Sequence, residues 1–599
     1  MSAHASRDPE AFEATSKPWS FLDQYRGRLF HGQWPTIPEL LRITTERHPE
    51  SRAFTAFEPE HLSLTYREAA GKIGRLATYL RRIGVDRGDR VGLTGKNSPE
   101  WACAYLAVLW AGGVVVPLDY QMETEKASSL LTFVSAKALF VDEEKLDGFD
   151  KEQLGLAAKI SLSPARRPYV LEITESEAPA GSMAAQEEDD LAAILFTSGT
   201  TGREKGVMLS HRNLVSDTFL AQDHINIRSD DVFYALLPIY HSYTMTSVFL
   251  EAVSVGAEIV FGKRIAVQQI LRELREGGVT MFLGVPALFN RLLRGIMRRI
   301  RERGLPAYLL VRMLMVVSGL VKKLTGANPG KRIFRSLLEK ASLSGIRCCI
   351  SGGGPLPPAT FRRFNQLGID FVQGYGLTET SPMLTLNPMD RYKEASVGKI
   401  IPGVEMRILD PDESGVGEVC VRGPMVMKGY YKKETDTRLS FTDDGFLRTG
   451  DMGRLDHESY LYLKGRKKSL IVTESGKNIF PEEIEDQFQL YEEVDQILVS
   501  GYTPESGQGG ERVEAYIYPS EEYFGSDDEE RRAARDPQER PEVRETIRRI
   551  VDEVNRKLLP YERIQRFTIL ESKMETTSTN KIRRFKVGTR GGDAKAKGA

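Results

Sequence analysis

The sequence is poor in cysteine, which excludes several classes of site. Its 599 residues include four cysteines, Cys103, Cys348, Cys349 and Cys420, and none stands in C-x-x-C spacing. A cysteine-ligated metal centre, a redox dithiol and a disulfide framework are therefore not expected. This usage is typical of a protein kept in a reducing compartment.

Long apolar runs and an excess of charge of one sign are also lacking. The formal net charge is -1, so a strongly basic field for nucleic acid is excluded and no nucleic-acid partner is expected. No stretch reaches the roughly 18 uninterrupted apolar residues of a spanning helix. The first twenty residues carry acidic side chains and no apolar segment, so a signal peptide is not expected. We expect a cytoplasmic protein, or one held on the inner face of a membrane.

The stretch most similar to a long apolar run is "YLLVRMLMVVSGLVKKL", residues 308–324. Arg312 interrupts it, and lysines stand near its end. Together with the arginines that precede it, the stretch predicts a basic, Leu/Met-rich helical region over 295–324. We favour packing of this region in the core, with Arg and Lys extending outward to solvent. The alternative is peripheral contact with an anionic membrane surface.

Strand and helix patterns alternate through the first 460 residues, which predicts an α/β fold with largely parallel sheets flanked by helices. The chain is too long for one core. We predict a large N-terminal domain over 1–464, and a small mobile α+β domain over 465–599. A charged segment near 519–540 has the composition of a solvated insertion with little chance of packing in a core.

One loop is rich in hydroxyls and glycine, "FTSGTTGREKGVMLSHRN", residues 196–213. Such residues bury little apolar area, so a ligand is needed to offset the entropy of ordering the loop. Backbone N–H groups, hydroxyls and Lys205 indicate a polyphosphate cradle, with an ordinary mobile turn as the alternative. The spacing differs from the P-loop G-x-x-x-x-G-K-[ST]. A strand precedes the loop, and a helix with Ser210 as its N-cap follows it.

Four further stretches follow in order: "SGGGPLP" (351–357), "QGYGLTETSP" (373–382), "RTGDMGRLD" (448–456) with "GRKKSLIVTESGKNIFPEEIE" (465–485), and "TSTNKIRRFKV" (577–587). With the hydroxyl-rich loop, they resemble the motifs of the adenylate-forming superfamily. This superfamily contains acyl- and aryl-CoA synthetases, luciferases and peptide-synthetase adenylation domains. The resemblance extends from about residue 36 to residue 587, and it is strongest to the long-chain fatty-acyl-CoA synthetases.

The resemblance implies an ATP site with three parts. The triphosphate would lie on Thr197, Ser198, Gly199, Thr200, Thr201, Gly202 and Lys205. The adenine would lie against Gly352, Gly353 and Gly354, with Tyr375 stacked on its face, and Gly376 would also belong to the ATP/AMP-binding residues. Asp451 would accept both ribose hydroxyls, and Arg466 would also reach the ribose. A glycine run suits the second part because it permits close approach to backbone.

The resemblance also implies the catalytic groups. Glu379 would ligate Mg²⁺, which a hard carboxylate oxygen suits, and Thr378 would help to bind the α-phosphate and the metal. His241 would lie beside the acyl carboxylate, with a buried structural histidine as an equal alternative. Lys581 would stabilise charge in the transition state of adenylation. Asn580 stands before it where the family often has glycine, which leaves the geometry of this loop open.

Two further positions would serve the second half of the reaction. Lys468 occupies the hinge position of the family, where rotation would withdraw the catalytic lysine after adenylation. The same rotation would present the CoA-binding loop, Ser475, Gly476, Lys477 and Asn478, to a thiol acceptor. One active site could then serve two chemistries.

The function implied is ATP-dependent activation of a long- or medium-chain fatty acid, followed by thioesterification to CoA. ATP, Mg²⁺ and CoA are the implied cofactors and co-substrate. The helical region over 295–345 is similar to an insertion in long-chain enzymes, which favours a fatty acid. The alternatives are an aryl or other acid, acyl carrier protein as acceptor, a non-catalytic acyl- or nucleotide-binding regulator, and a membrane scaffold. A homodimer is left open.

Replacement of Lys581 tests the assignment of the catalytic lysine. Lys581→Ala should lower the rate of ATP–pyrophosphate exchange by about 10²–10³-fold, or roughly 3–4 kcal/mol, as loss of one transition-state donor does. The thermal unfolding midpoint serves as the control for folding. Exchange near the wild-type rate in a folded variant would refute the assignment.

Overall fold

The structure is a computed structural model that describes residues 17–176, 181–198, 204–263, 267–503, 510–525, 540–576, 582 and 584. Helices and strands alternate along most of this length. The predicted α/β class is confirmed. Gly199, Thr200, Thr201, Gly202 and Lys581 lie outside the described residues.

The strands of the described part are short, and most of their residues are buried. They are β1 Arg52–Ala56, β2 Leu62–Thr65, β3 Arg90–Thr94, β4 Val114–Leu118, β5 Ala138–Val141, β6 Ala158–Ser161, β7 Leu191–Ser198, β8 Glu204–Ser210, β9 Val232–Ala235, β10 Glu258–Phe261, β11 Met281–Gly284, β12 Cys348–Ser351, β13 Asp370–Gly376, β14 Met383–Leu386, β15 Lys399–Ile400, β16 Glu405–Leu409, β17 Gly417–Arg422, β18 Gly429–Tyr430, β19 Leu447–Leu455, β20 Leu461–Arg466, β21 Ile471–Val472, β22 Asn478–Ile479, β23 Val494–Tyr502, β24 Arg512–Pro519 and β25 Arg566–Ile569.

The helices of the described part cover the faces of these sheets. They are α1 Ile37–Arg47, α2 Tyr66–Arg82, α3 Pro99–Trp110, α4 Thr124–Phe133, α5 Val170–Ser176, α6 His211–Ala221, α7 Ser242–Thr244, α8 Glu251–Val255, α9 Val267–Glu276, α10 Pro286–Arg301, α11 Leu305–Thr325, α12 Gly330–Ile333, α13 Arg335–Lys340, α14 Pro358–Gln366, α15 Glu434–Leu439, α16 Pro481–Asp486, α17 Glu521–Phe524 and α18 Pro541–Lys557. A π-helical segment, Met245–Leu250, joins α7 to α8.

Two large sheets carry the N-terminal part of the chain. The nine-stranded sheet has the order β15-β14-β13-β12-β11-β9-β10-β1-β2, and its strands from β13 to β1 are parallel. The seven-stranded sheet has the order β18-β8-β7-β4-β3-β5-β6, with β8 and β18 antiparallel at one edge. Every residue of α3 except Trp110 is buried, because the helix packs in the main core between these layers. The prediction of largely parallel sheets is confirmed.

Helix α11 contradicts the interpretation that we favoured for it, which was burial in the core. Of its 21 residues, only Met315 and Ser318 are buried. The helix contacts α10, α12 and α14 through a narrow stripe, so most of its bulky apolar side chains stay outside. Although Arg312 interrupts it, this helix is also long and apolar enough to cross a membrane, judged by length and composition alone.

The C-terminal part has its own apolar core, drawn from residues 471–569. Strands β23, β24 and β25 form a separate sheet, and α18 buries one face, from Val543 to Val554, in this core. The start of the charged segment differs from our expectation, because it forms α17 and its Phe524 packs against this core. Residues 526–539 lie outside the described part, and the domain boundary at 464/465 stays a prediction.

A pair of glycine substitutions tests the packing at the end of β13. A Cβ on Gly376 would lie 1.6 Å from the carbonyl oxygen of Pro382, whereas one on Gly71 in α2 would have no neighbour within 4 Å. Gly376→Ala should therefore lower the free energy of unfolding by about 1–3 kcal/mol or more. Gly71→Ala, the matched control, should raise it by up to about 1 kcal/mol. Urea denaturation measures both, and equal effects would contradict the predicted clash.

Candidate active site

The predicted site residues collect where neighbouring parallel strands end. Strands β13, β12, β11 and β9 are adjacent in the nine-stranded sheet. The glycine run 352–354 follows β12, and Thr378 and Glu379 follow β13 directly. The segment containing His241 follows β9. The carboxyl ends of parallel strands share one edge of a sheet, and ligands of open α/β folds bind there.

Two paired strands flank residues 199–203 of the hydroxyl-rich stretch. Strands β7 and β8 pair antiparallel, with Thr197 opposite Lys205 and Ser198 opposite Glu204. At the end of β8, Ser210 caps α6, as we predicted, and its side chain accepts a hydrogen bond from the backbone N–H of Asn213. The hairpin therefore holds both ends of the loop, and α6 extends from its second strand.

One aromatic residue contacts both Lys205 and the predicted metal ligand, Glu379. Its Nζ lies 4.6 Å from the ring centroid of Tyr430 and 3.5 Å from Oδ1 of Asp436. The Tyr430 hydroxyl donates a hydrogen bond to Oε1 of Glu379 at 2.9 Å. Burial and the Glu379 carboxylate raise the pKa of Tyr430, so the hydroxyl stays protonated as a donor. One tyrosine thus joins the phosphate-loop lysine to Glu379.

The hydroxyl of Thr378 links this cluster to the segment containing His241. The side-chain oxygens of Thr378 and Ser242 are 3.1 Å apart, and His241 immediately precedes Ser242. His241 is half-buried, with its ring centroid 5.3 Å from that of Tyr240. The histidine is thus at the edge of the cluster, which is compatible with its predicted place beside the acyl carboxylate.

The glycine run after β12 packs closely over an aromatic ring. A Cβ on Gly352 would lie 2.9 Å from ring atoms of Tyr243, and Gly353 has a φ of +80°, which glycine adopts readily. The Tyr243 hydroxyl donates to the carbonyl oxygen of Ile350 at 3.1 Å. Tyr243 therefore supports the run from one side, and side chains at Gly352 are sterically excluded. A backbone free of side chains suits a planar base.

The three residues predicted for the nucleoside form one connected network. The Tyr375 hydroxyl donates to Oδ2 of Asp451 at 2.6 Å, and Nε of Arg466 lies 2.8 Å from Oδ1. Asp451 and Arg466 are also directly paired between β19 and β20. Burial and the charge of Asp451 raise the pKa of Tyr375. Desolvation of the Arg466 guanidinium lowers its pKa, but the charges of Asp451, Tyr375 and Glu379 outweigh this effect, so the pKa of Arg466 is raised.

The positions predicted for the second half-reaction are exposed. Lys468 is exposed in a short 3-10 helix, Lys467–Ser469, directly after β20. Residues 475–477 lie in the exposed connection between β21 and β22, with Gly476 at a φ of +73°, and the exposed Asn478 begins β22. Both are therefore accessible to a large acceptor. Lys581 lies outside the described residues, and its role stays a prediction.

The site contains a donor set that fits Mg²⁺. Among the described residues, no group of three or more His, Cys, Asp or Glu side chains is placed to hold a metal ion. Mg²⁺ is commonly bound by one or two carboxylates, with phosphate and water oxygens as its other ligands. Glu379 fits this role because the Tyr430 hydroxyl holds one of its oxygens, and the ring of the same tyrosine contacts Lys205.

Sequence reasoning missed Tyr430, Tyr243 and Ser242, which connect the predicted residues. The stretch "KGYYKK" around Tyr430 has no motif that marks it, and only the pairing of β18 with β8 brings it to the loop. Ser242 and Tyr243 lie inside "LPIYHSYTMT", where we singled out His241 alone. The one signal that could have identified Ser242 and Tyr243 was their position next to His241 in the sequence.

The fold and this cluster define a nucleotide-dependent ligase. A family model described as "AMP-binding enzyme" matches residues 41–431. The chain belongs to this family, whose adenylate-forming members use ATP.

Three known proteins illustrate the similarity. The long-chain-fatty-acid–CoA ligase of Bacillus subtilis is 27% identical, over 84% of this chain and 89% of its own. A feruloyl-CoA synthase of an Amycolatopsis species is 26% identical, over 80% and 88%. The crystal structure of ATP-bound MatB from Rhodopseudomonas palustris superposes with a TM-score of 0.74 at 26% identity, covering 94% of this chain and all of that one.

Loss of the Tyr430 hydroxyl tests the link between lysine and carboxylate. Tyr430→Phe keeps the ring beside Lys205 but removes the donor to Glu379. A hydrogen bond to a charged group contributes about 1.5–3 kcal/mol, so the KM for magnesium-ATP should rise by about tenfold to a hundredfold. Steady-state kinetics at varied magnesium-ATP measure the change.

The neighbouring residue provides a matched control. Tyr431 packs its ring edge-on against Phe133, and Tyr431→Phe should leave the KM for magnesium-ATP within twofold of wild type. Equal KM values for the two variants would show that the hydroxyl of Tyr430 has no part in nucleotide binding.

Proposed function

We propose that this protein activates a long- or medium-chain fatty acid as its acyl-adenylate and transfers the acyl group to CoA. The observation that carries the proposal is the linked cluster of Lys205, Tyr430, Glu379, Thr378 and Ser242. It joins Lys205 of the predicted phosphate-binding loop, in the seven-stranded sheet, to the predicted metal ligand and the segment containing His241, which follow strands of the nine-stranded sheet.

In the first half-reaction, a carboxylate oxygen of the acid attacks the α-phosphorus of ATP. The bond between that phosphorus and the bridging oxygen to the β-phosphate breaks, and pyrophosphate leaves with the electron pair. Two anions must approach each other, so cationic and hydrogen-bonding groups lower the barrier. Lys205 would bind the triphosphate, Thr378 the α-phosphate, and Lys581 the charge that develops in the transition state. Mg²⁺ bound at Glu379 would neutralise phosphate charge.

In the second half-reaction, the thiol of CoA attacks the acyl carbonyl carbon and loses its proton. The bond between that carbon and the phosphate oxygen breaks, and AMP leaves. The exposed positions of Lys468 and of residues 475–478 support a rotation that brings the CoA-binding loop to the adenylate. Acyl carrier protein is the alternative acceptor, because it presents the same kind of thiol.

The choice of a fatty acid rests on the similar long-chain ligase and on the extra helical region over 295–345. The similar feruloyl-CoA synthase supports the aryl alternative. Each CH₂ group buried in an apolar pocket contributes about 0.8 kcal/mol, which favours long chains. Because one methylene discriminates only about 10–200-fold, we expect broad chain-length selectivity.

A panel of acids tests the substrate class. Purified protein is incubated with magnesium-ATP and dodecanoate, hexadecanoate, benzoate, ferulate or malonate, with CoA present or withheld, and AMP is measured. We expect AMP formation with the two fatty acids that depends on CoA. Turnover confined to benzoate or ferulate would overturn the fatty-acid assignment.

A second comparison identifies the acceptor. CoA and acyl carrier protein are each supplied with hexadecanoate, and the acylated product is measured by mass spectrometry. The proposal expects acyl-CoA. Acylation of the carrier protein without formation of acyl-CoA would identify the carrier protein, and not CoA, as the acceptor. If no acid supports ATP–pyrophosphate exchange, adenylation itself is rejected.

A further inference from the structure

Helix α11 exposes an unusual amount of apolar surface. Eight of the fifteen large apolar side chains that are exposed in the described part lie on this one helix. Among these eight side chains are Leu309, Met313, Val316, Leu320 and Leu324. The exposed fractions of the eight range from 49% to 75%. A contiguous apolar patch of this kind marks an interaction surface, whereas the other seven exposed side chains are distributed over the rest of the described part.

The opposite face of α11 packs against the protein, and its contacts there keep the apolar face turned outward. Lys322 points inward, where its Nζ donates to Oδ1 of Asn365 at 2.7 Å and pairs with Asp370. A Cβ on Gly319 would lie 2.7 Å from Cγ of Gln366, so the absence of a side chain at Gly319 lets the helix lie close to α14. The Lys322 charge faces the protein, and the exposed Leu, Met and Val side chains face out. Rotation to bury them would break the Lys322–Asp370 pair.

The surroundings of the apolar face are strongly basic. Residues 291–332 contain eleven Lys or Arg and one acidic residue, Glu302, in a chain of formal net charge -1. Arg291 and Arg298 in α10 are 69% and 59% exposed, and Glu522 is 3.6–3.7 Å from both. Basic side chains that flank an apolar helix face add attraction to anionic headgroups.

We propose that α11, with the basic C-terminal half of α10, is a docking surface for a bilayer that contains anionic lipid. The helix would lie in the plane of the interface with its outward face among the upper acyl chains. A spanning arrangement is disfavoured because the inward face is packed on α14 and only three residues connect α10 to α11. A second copy of the chain is disfavoured because it would bring two basic surfaces together. Docking of this surface would not depend on the fatty-acid substrate or on CoA.

Vesicle flotation tests the docking surface without ATP, acid or CoA. The full chain is mixed with vesicles of phosphatidylcholine alone or of phosphatidylcholine and phosphatidylglycerol in equal parts. We expect flotation with the anionic vesicles, weakened at high salt because charges are screened. Met313→Gln with Leu320→Gln should lower the partition coefficient by at least about tenfold, since two side chains of this size lose their insertion.

The matched control removes apolar side chains that are equally exposed elsewhere. Leu439 and Leu559 are 68% and 52% exposed, and Leu439→Gln with Leu559→Gln should float like the wild type. Arg299→Gln with Arg301→Gln should weaken flotation on anionic vesicles alone. Circular dichroism and the unfolding midpoint establish that the variants are folded.

Three outcomes would overturn the proposal. The first is absence of wild-type flotation on anionic vesicles, and the second is an equal loss in the Leu439/Leu559 control. The third is a dimer of the wild-type protein in sedimentation. If Met313→Gln with Leu320→Gln dissociates that dimer and leaves flotation unchanged, α11 is a contact between two copies of the chain. Because no substrate is present, failure here is distinguishable from failure of the acid panel.

Discussion

The hydrogen bond from Tyr430 to Glu379 connects parts of the chain that are far apart in sequence. Tyr430 stands in a two-residue strand that pairs with β8, opposite Val207, and so reaches the base of the hydroxyl-rich loop. From there its ring contacts Lys205 and its hydroxyl meets the carboxylate that follows β13. The seven-stranded and nine-stranded sheets are thereby tied together at the site, because Lys205 belongs to one and Glu379 follows a strand of the other.

A second constraint is the common edge of the parallel strands. Each strand from β13 to β9 delivers the residues that follow it to this edge, whatever their distance along the chain. Glycine at 352 and 376 keeps the edge open, since a Cβ at either position would collide with Tyr243 or with the carbonyl of Pro382. The site therefore depends as much on absent side chains as on the groups that bind.

Local patterns predicted the elements next to the site, but they could not predict its connections. The strand before the loop, the Ser210 cap and the buried helix α3 follow from residue types that are neighbours in sequence. The motif residues Tyr375, Asp451 and Arg466 were predicted together, and they form one network. Tyr430 and Tyr243 act across long separations, and no local periodicity reports a contact of that kind.

The same limit explains the error in α11. A Leu/Met-rich helix with arginines has one pattern whether its apolar face turns inward or outward, and the orientation depends on tertiary contacts at Gly319 and Lys322. Those contacts occupy one side of the helix only. If α11 docks on a bilayer as we propose, substitutions on the other side would alter the strength of docking and leave the packing on α14 intact. Selection could then adapt docking to different lipid compositions separately from the evolution of the catalytic domain.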